Sequence, residues 1–362
     1  MRRFLGPLSG VLGQAGLLTI AAGGLPHPAN ALSINVTYDT SVDSQANAAT
    51  IKSAFDSVAD AFENAITNPI TISIKVGWGV ANTTPVASGN AGLTLVNAAS
   101  GFTYSQIRTI MAGTGATLPA TNPTTLSTFL IPFAQYKALG LSGLSPSSGF
   151  DGYIGFSAAK TFVFDDSNPI PAGQYDFKGV ASHEIQHALG RVTGLVGTTA
   201  LYTYPADIFR YTAPNTSSFS YNTGNTDIHA STDGGATNLG TYADERSGGN
   251  RADWQLDLAK QNAQASVIES GEDLCLSVAD QRLLMGLGYT FSETASSLFL
   301  PGTACAPPGA DAAALLAISS PQTPVATPEP ATLSITALGL AALAALRRRG
   351  RTAPRRPIQA AM

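Results

Sequence analysis

Four histidines occur in the 362 residues, and two of them stand four apart in Ala181-Ser182-His183-Glu184-Ile185-Gln186-His187-Ala188-Leu189-Gly190-Arg191. On a helix, residues i and i+4 lie one turn above each other, so His183 and His187 share a face and can present both imidazoles to one metal ion. Zinc suits such a pair, taking imidazole nitrogen at about 2.0–2.1 Å. Glu184 is rotated from the histidines by about 100°, which keeps it off the metal but within reach of a metal-bound water. In this His-Glu-x-x-His arrangement the metal draws the water's pKa towards about 7 and the carboxylate removes its proton as it attacks a carbonyl carbon. A catalytic zinc normally takes three protein ligands and keeps one position for water, so a third ligand is needed from outside the motif.

The elements that must position these residues are legible from periodicity. Phe177, Ala181, Ile185, Ala188 and Val192 recur at three- and four-residue steps and give the motif helix an apolar stripe away from the histidines. Upstream, Ser33 to Asp39 alternates Ile34, Val36 and Tyr38 with polar residues, which predicts a strand. Ala49 to Ile66 switches to a helical period through Ile51, Phe55, Val58, Phe62 and Ile66, and Asn68-Pro69 ends it. Ile70 to Trp78 alternates again as a second strand. Helices are predicted over Ser105–Met111 and Leu126–Leu139, strand material over Asp151–Asp165, and a last helix over Ser277–Gly288 with Leu283, Leu284 and Leu287 on one side. The expected fold class is α+β: a mixed twisted sheet with a backing helix and the histidine-bearing helix, followed by a loop-rich C-terminal lobe.

With this motif and this order of elements, residues 32–300 resemble the zincin metallopeptidases. The stretches Ala181–Arg191, Pro205–Tyr211 and Asp280–Tyr289 are similar, more narrowly, to an exported bacterial metalloprotease family. The resemblance implies a zinc metalloendopeptidase acting on protein or peptide, with Zn²⁺ on His183 and His187, Glu184 as the catalytic residue, and a sheet with two helices forming the upper wall of a cleft. One departure stands out. In the metzincin branch the motif continues to Gly-x-x-His or Gly-x-x-Asp; Gly190 fits that turn, but Thr193 occupies the ligand position. Asp207, 20 residues beyond His187, is the first candidate for the third metal ligand, although an Asp after Pro205-Ala206 also suits a helix N-cap. His229 is the second. Asp233-Gly234-Gly235 with Asp244, Glu245 and Asp253 puts carboxylates on Gly-rich turns, which suits either Ca²⁺ or plain solvated turns. Met285 invites comparison with the metzincin Met-turn and equally fits core packing on a helix. The departure at Thr193 keeps a different class in view, a non-catalytic surface or extracellular-matrix protein on a zincin-like scaffold.

Composition narrows the setting. Only 12% of residues are charged, against roughly 25% in an ordinary soluble domain, while 44% are hydrophobic. The formal charge of −4 conceals an acidic body, since residues 32–320 carry 12 basic against 23 acidic side chains. Such a body offers no basic surface to track a phosphate backbone, so nucleic acid is excluded as a partner. Residues 1–31 combine Arg2 and Arg3, an apolar run from Phe4 to Leu25 and the small-x-small site Ala29-Asn30-Ala31, the pattern of a secretory signal peptide, or of an uncleaved anchor. Residues 301–326 are an Ala/Pro/Ser/Thr-rich linker. Residues 327–350 run from Thr327-Pro328-Glu329-Pro330 through the apolar Leu333–Leu346 to Arg347-Arg348-Arg349, before a basic tail at 351–362. A helix over that apolar run spans about 21 Å, a short transmembrane helix with its arginines on the cytoplasmic side. This order resembles the PEP-CTERM sorting signal of Gram-negative bacteria. The resemblance implies export machinery and an exosortase as partners, a transient membrane anchor, and an address in the cell envelope or outside the cell; a plain tail anchor is the alternative. The only two cysteines, Cys275 and Cys305, suit one disulfide in an oxidising compartment, or else two buried thiols.

Overall fold

The computed structural model describes residues 31–124, 126–165, 169–196, 199–200, 202–219, 228–243, 250–255 and 262–292. All of them fall in the first of two compact units, Met1–Ser319. The signal segment, the linker, the Pro-Glu-Pro segment with its apolar run, the basic tail and Cys305 lie outside the described residues. Among the described residues no helix is long and apolar enough to cross a membrane.

The protein is mixed α+β. Alternation of β-branched residues with polar ones makes β1 (Ser33–Tyr38) and β2 (Thr71–Trp78), which pair in parallel with Ser33 opposite Thr71. Between them lie the short α1 (Thr40–Asp43) and the long α2 (Ala48–Ala65). The apolar stripe of α2, Ile51, Phe55, Val58 and Phe62, is its buried face, and it meets the buried Ile72, Ile74 and Val76 of β2 in one core. A small hairpin, β3 (Val80–Ala81) and β4 (Thr84–Pro85), precedes β5 (Gly92–Val96). Next come β6 (Ala98–Phe102), α3 (Tyr104–Ile110), β7 (Phe129–Pro132), α4 (Phe133–Ala138) and β8 (Gly152–Phe156). β8 runs parallel to β2 and antiparallel to β5, so the main sheet reads β1-β2-β8-β5 with one antiparallel edge.

The helix predicted over Leu126–Leu139 is instead a strand followed by a shorter helix. Pro132 sits at the N-cap with an extended backbone (φ −51°, ψ 138°) and lets the helix begin only at Phe133. The residues before it are held extended and pair with β6.

The parallel two-residue strands β9 (Phe162–Val163) and β10 (Tyr175–Asp176) lead directly into α5 (Phe177–Ala188), the helix that carries the motif. Its entry is pinned twice. Phe177 joins an aromatic cluster with its ring centroid 4.5 Å from Phe156 on β8 and 4.8 Å from Phe164. Asp176, the N-cap, accepts from Gly179 N at 3.0 Å through one carboxylate oxygen and from Leu274 N at 3.0 Å through the other. α5 packs against α2, β5 and β8. Every residue from Gly179 to Ala188 is buried, so the helix is not the one-faced surface helix its apolar stripe suggests. Its polar face is covered by the chain that follows.

That chain forms the hairpin β11 (Leu195–Val196) and β12 (Thr199–Ala200), a 3-10 turn at Pro205–Phe209, and a second sheet. The second sheet contains β13 (Arg210–Ala213), β14 (Thr216–Ser217), β15 (His229–Ala230) and β16 (Gly240–Thr241) in the order β14-β13-β15-β16. The last described helix is α6 (Val278–Gly286).

Because Asp176 closes the N-terminus of α5 and also holds Leu274, its replacement by alanine removes two buried hydrogen bonds at once. Asp176→Ala is expected to lower the unfolding free energy by about 2 kcal/mol, measured by urea denaturation, with the spectroscopic signature of the fold retained.

Candidate metal centre

α5 ends in a Schellman turn that starts the construction of the site. Gly190 N donates to His187 O at 2.9 Å and Arg191 N donates to Gln186 O at 3.1 Å, with Gly190 at φ 109° in the region glycine favours. The turn brings the Arg191 carbonyl back over the helix, where it accepts from His187 Nδ1 at 2.6 Å. His183 Nδ1 donates to the Ala263 carbonyl at 2.6 Å. A carbonyl oxygen can only accept, so both rings carry their protons on Nδ1 and, when neutral, lone pairs on Nε2. Those two Nε2 atoms face each other at 2.9 Å.

Asp253 completes the group. Its Oδ1 lies 3.3 Å from His187 Nε2, and its Oδ2 lies 3.8 Å from His183 Nε2. The carboxylate is 2% exposed, and its buried Oδ1 has no hydrogen-bond donor unless His187 Nε2 carries a proton. The ligand atoms of His183, His187 and Asp253 lie within 4.8 Å of one another. Burial pushes the His187 pKa down, but the charges of Asp253 and Glu184 outweigh it and the net shift is upward. Lone pairs that face each other beside an orphaned carboxylate oxygen require positive charge between them, as a proton or as a metal ion. Two imidazoles and one carboxylate are a donor set that can hold a metal ion, and among the described residues this is the one such group.

Glu184 points towards the edge strand of the main sheet. Thr94 on β5 donates its hydroxyl to Glu184 Oε2 at 2.6 Å, with a second contact to the Glu184 carbonyl at 3.0 Å. A Cβ on Gly92, two residues earlier, would collide with the Glu184 carboxylate, so only glycine leaves it room there.

The segment bearing Asp253 is held by a buried carboxylate on α6. Asp280 Oδ1 accepts from Arg191 Nη1 at 2.5 Å and from Trp254 Nε1 at 2.7 Å. Its Oδ2 accepts from Asn262 Nδ2 at 3.0 Å and from the backbone N and hydroxyl of Ser277, both at 2.7 Å. Asn262 in turn accepts from Gln264 N at 2.7 Å, and Gln264 Nε2 donates to the His183 carbonyl at 2.8 Å. The carbonyl behind His183 and the carboxylate beside His187 are thus tied to one residue.

The structure brings His183 and His187 together as their spacing predicts, but it places Asp207 elsewhere. Asp207 accepts from Thr193 Oγ1 at 2.5 Å, Gly194 N at 3.1 Å and Tyr204 N at 2.9 Å, closing the turn after α5 and capping the Pro205–Phe209 turn. Burial raises its pKa against those hydrogen bonds. Thr193, which occupies the metzincin ligand position, and Asp207, the first candidate for the third ligand, therefore bond to each other, and Asp253 takes the place beside the histidines. His229 lies on β15 opposite Tyr211 and Thr241, with its pKa lowered by burial, and is outside the group.

The carboxylates considered for Ca²⁺ do not gather either. Asp233 is occupied by Ser231 Oγ at 2.6 Å and by Thr237 N and Oγ1 at 2.8 and 2.6 Å, and Asp253 belongs to the histidine group. Asp244 and Glu245 lie outside the described residues. Met285 is a half-buried residue within α6. Cys275 is disulfide-bonded. No protein-family model, curated protein or solved structure matches the chain.

These placements separate two aspartates. Asp253→Ala is expected to abolish stoichiometric metal binding, as read by elemental analysis of the dialysed protein. Asp207→Ala should keep the stoichiometry and lose about 1–3 kcal/mol of stability, because two backbone donors lose their acceptor.

Proposed function

We propose that the protein is an exported zinc-dependent metalloendopeptidase in which His183, His187 and Asp253 hold the metal and Glu184 is the general base. The observation that carries this reading is the pair of Nε2 atoms facing each other beside the buried Asp253 carboxylate; Glu184, one residue after His183 and held by Thr94, adds its negative charge at His187. Zinc, when bound, supplies a Lewis acid that acidifies a water and polarises a carbonyl. The chain's own residues do the rest. Glu184 takes the proton of the attacking water and returns it to the leaving amine. Thr94 holds Oε2, and Oε1 lies against Gly92, so β5 fixes the orientation of the carboxylate. The order β1-β2-β8-β5, with its antiparallel edge strand against α5, supports a zincin-like N-terminal lobe. The disulfide at Cys275 supports a location outside the cytoplasm, in keeping with the signal-like segments at both ends.

A metal site without catalysis is the second reading, and the burial of all four groups favours it, Glu184 being 4% exposed. The two readings part at Glu184. A purely structural site gains nothing from a buried carboxylate on the residue after its first ligand, whereas hydrolysis depends on it.

Glu184→Gln is expected to retain the metal and lose at least about 100-fold in hydrolysis of a casein-type substrate, measured with the metal-loaded protein; near-normal cleavage contradicts the mechanism. Gly92→Ala tests the same carboxylate from the opposite side. It should leave metal content unchanged and lower kcat, because the added methyl group displaces Glu184.

A further inference from the structure

We propose that Arg191 is the positioning residue of the metal centre, fixing His187 with its backbone and Asp253 with its side chain. The inference rests on the metal reading above. Arg191 is fully buried just past the end of α5. Its carbonyl is the acceptor that sets the His187 tautomer and ring orientation. Its guanidinium grips the residues on either side of Asp253: Nε donates to the Ala252 carbonyl at 3.0 Å, and the planar group lies over the Trp254 ring with 4.1 Å between its carbon and the centroid. Nη1 meets Asp280 Oδ1, the oxygen that also receives Trp254 Nε1, so the cation and the indole are locked to one carboxylate. With Ala252 and Trp254 both held, the intervening Asp253 has little freedom except to face the histidines.

Arginine is needed for this arrangement because it combines donors on separate nitrogens with a flat face that stacks on an aromatic ring. A lysine ammonium keeps the charge but cannot make the carbonyl bond, the ion pair and the stacking contact together. Arg191 also lies at the third residue past the helix, where the Schellman turn points its carbonyl back at His187. One residue thus couples the helix that carries two ligands to the loop that carries the third, over 62 positions of sequence from 191 to 253.

The test measures metal binding apart from catalysis. Zinc affinity of the full chain is determined by chelator competition for the wild type, Arg191→Lys, the charge-neutral pair Arg191→Met with Asp280→Asn, and Ile107→Val as a core truncation on α3. Thermal melting of each metal-free protein and the visible spectrum of its Co²⁺ form are recorded alongside. The expected result is zinc affinity 10- to 100-fold weaker in both Arg191 variants, a weakened or shifted Co²⁺ spectrum, and unchanged affinity in Ile107→Val. Equal affinity in wild type and a folded Arg191 variant overturns the proposal, as does an equal loss in Ile107→Val, which would make the effect one of general stability. If Arg191→Lys does not fold, the double variant decides by the same criterion; failure of both to fold makes Arg191 a fold determinant and overturns the positioning role. A wild type that binds no metal removes the metal reading itself, and a wild type that binds while Arg191→Lys binds equally well removes only this inference.

Discussion

Two imidazole nitrogens 2.9 Å apart, buried and each backed by a ring proton given to a carbonyl, are the constraint around which the protein is organised. Without a cation between them the pair is repulsive, and burial makes that repulsion more costly than it is in water. The surroundings answer the problem with negative charge, from Asp253 at 3.3 Å and from Glu184 on the same helix. Holding the arrangement requires the two acceptor carbonyls, Ala263 and Arg191, in place. One comes from a loop of the C-terminal lobe and the other from the turn that ends α5.

Beyond α5, the described segments between the second sheet and α6 are tied together by polar bonds to one side chain. Asp280 accepts five hydrogen bonds and collects Arg191, Trp254, Asn262 and Ser277 around one buried carboxylate. A buried charge is tolerable only when its partners are this complete. Asp176 performs a similar role at the other end of α5, joining its N-terminus to Leu274 next to the disulfide-bonded Cys275. The motif helix is therefore clamped to the chain that follows it at its start and at its end.

Much of the N-terminal half was legible because its signals are local. The stripe Ile51, Phe55, Val58 and Phe62 and the alternation through β2 are periodic patterns that burial then realises. His183 and His187 were legible for the same reason, since one helical turn alone brings them together, and Gly190 marks the turn that follows. Asp253 follows no such rule. Its place beside the histidines depends on Arg191 and Asp280 meeting across the fold, and in the sequence it stands only among the carboxylates that suit Ca²⁺ or solvated turns. Asp207 is suggested by its distance from the motif, but it serves the turn at Pro205–Phe209, as the third residue of that turn reaching back to the Tyr204 backbone, with Tyr204 and not Asp207 at the N-cap. The strand before α4 was hidden by apolar residues whose period Pro132 interrupts.

The proposed zinc site lies between His183 Nε2, His187 Nε2 and the Asp253 carboxylate. Anomalous diffraction from crystals of the zinc-loaded protein, collected on either side of the zinc absorption edge, tests it most directly. A single strong anomalous peak is expected, bounded by those three side chains, with Glu184 outside its coordination shell. A peak at Asp207 or His229, or no peak between the two histidines, would contradict it.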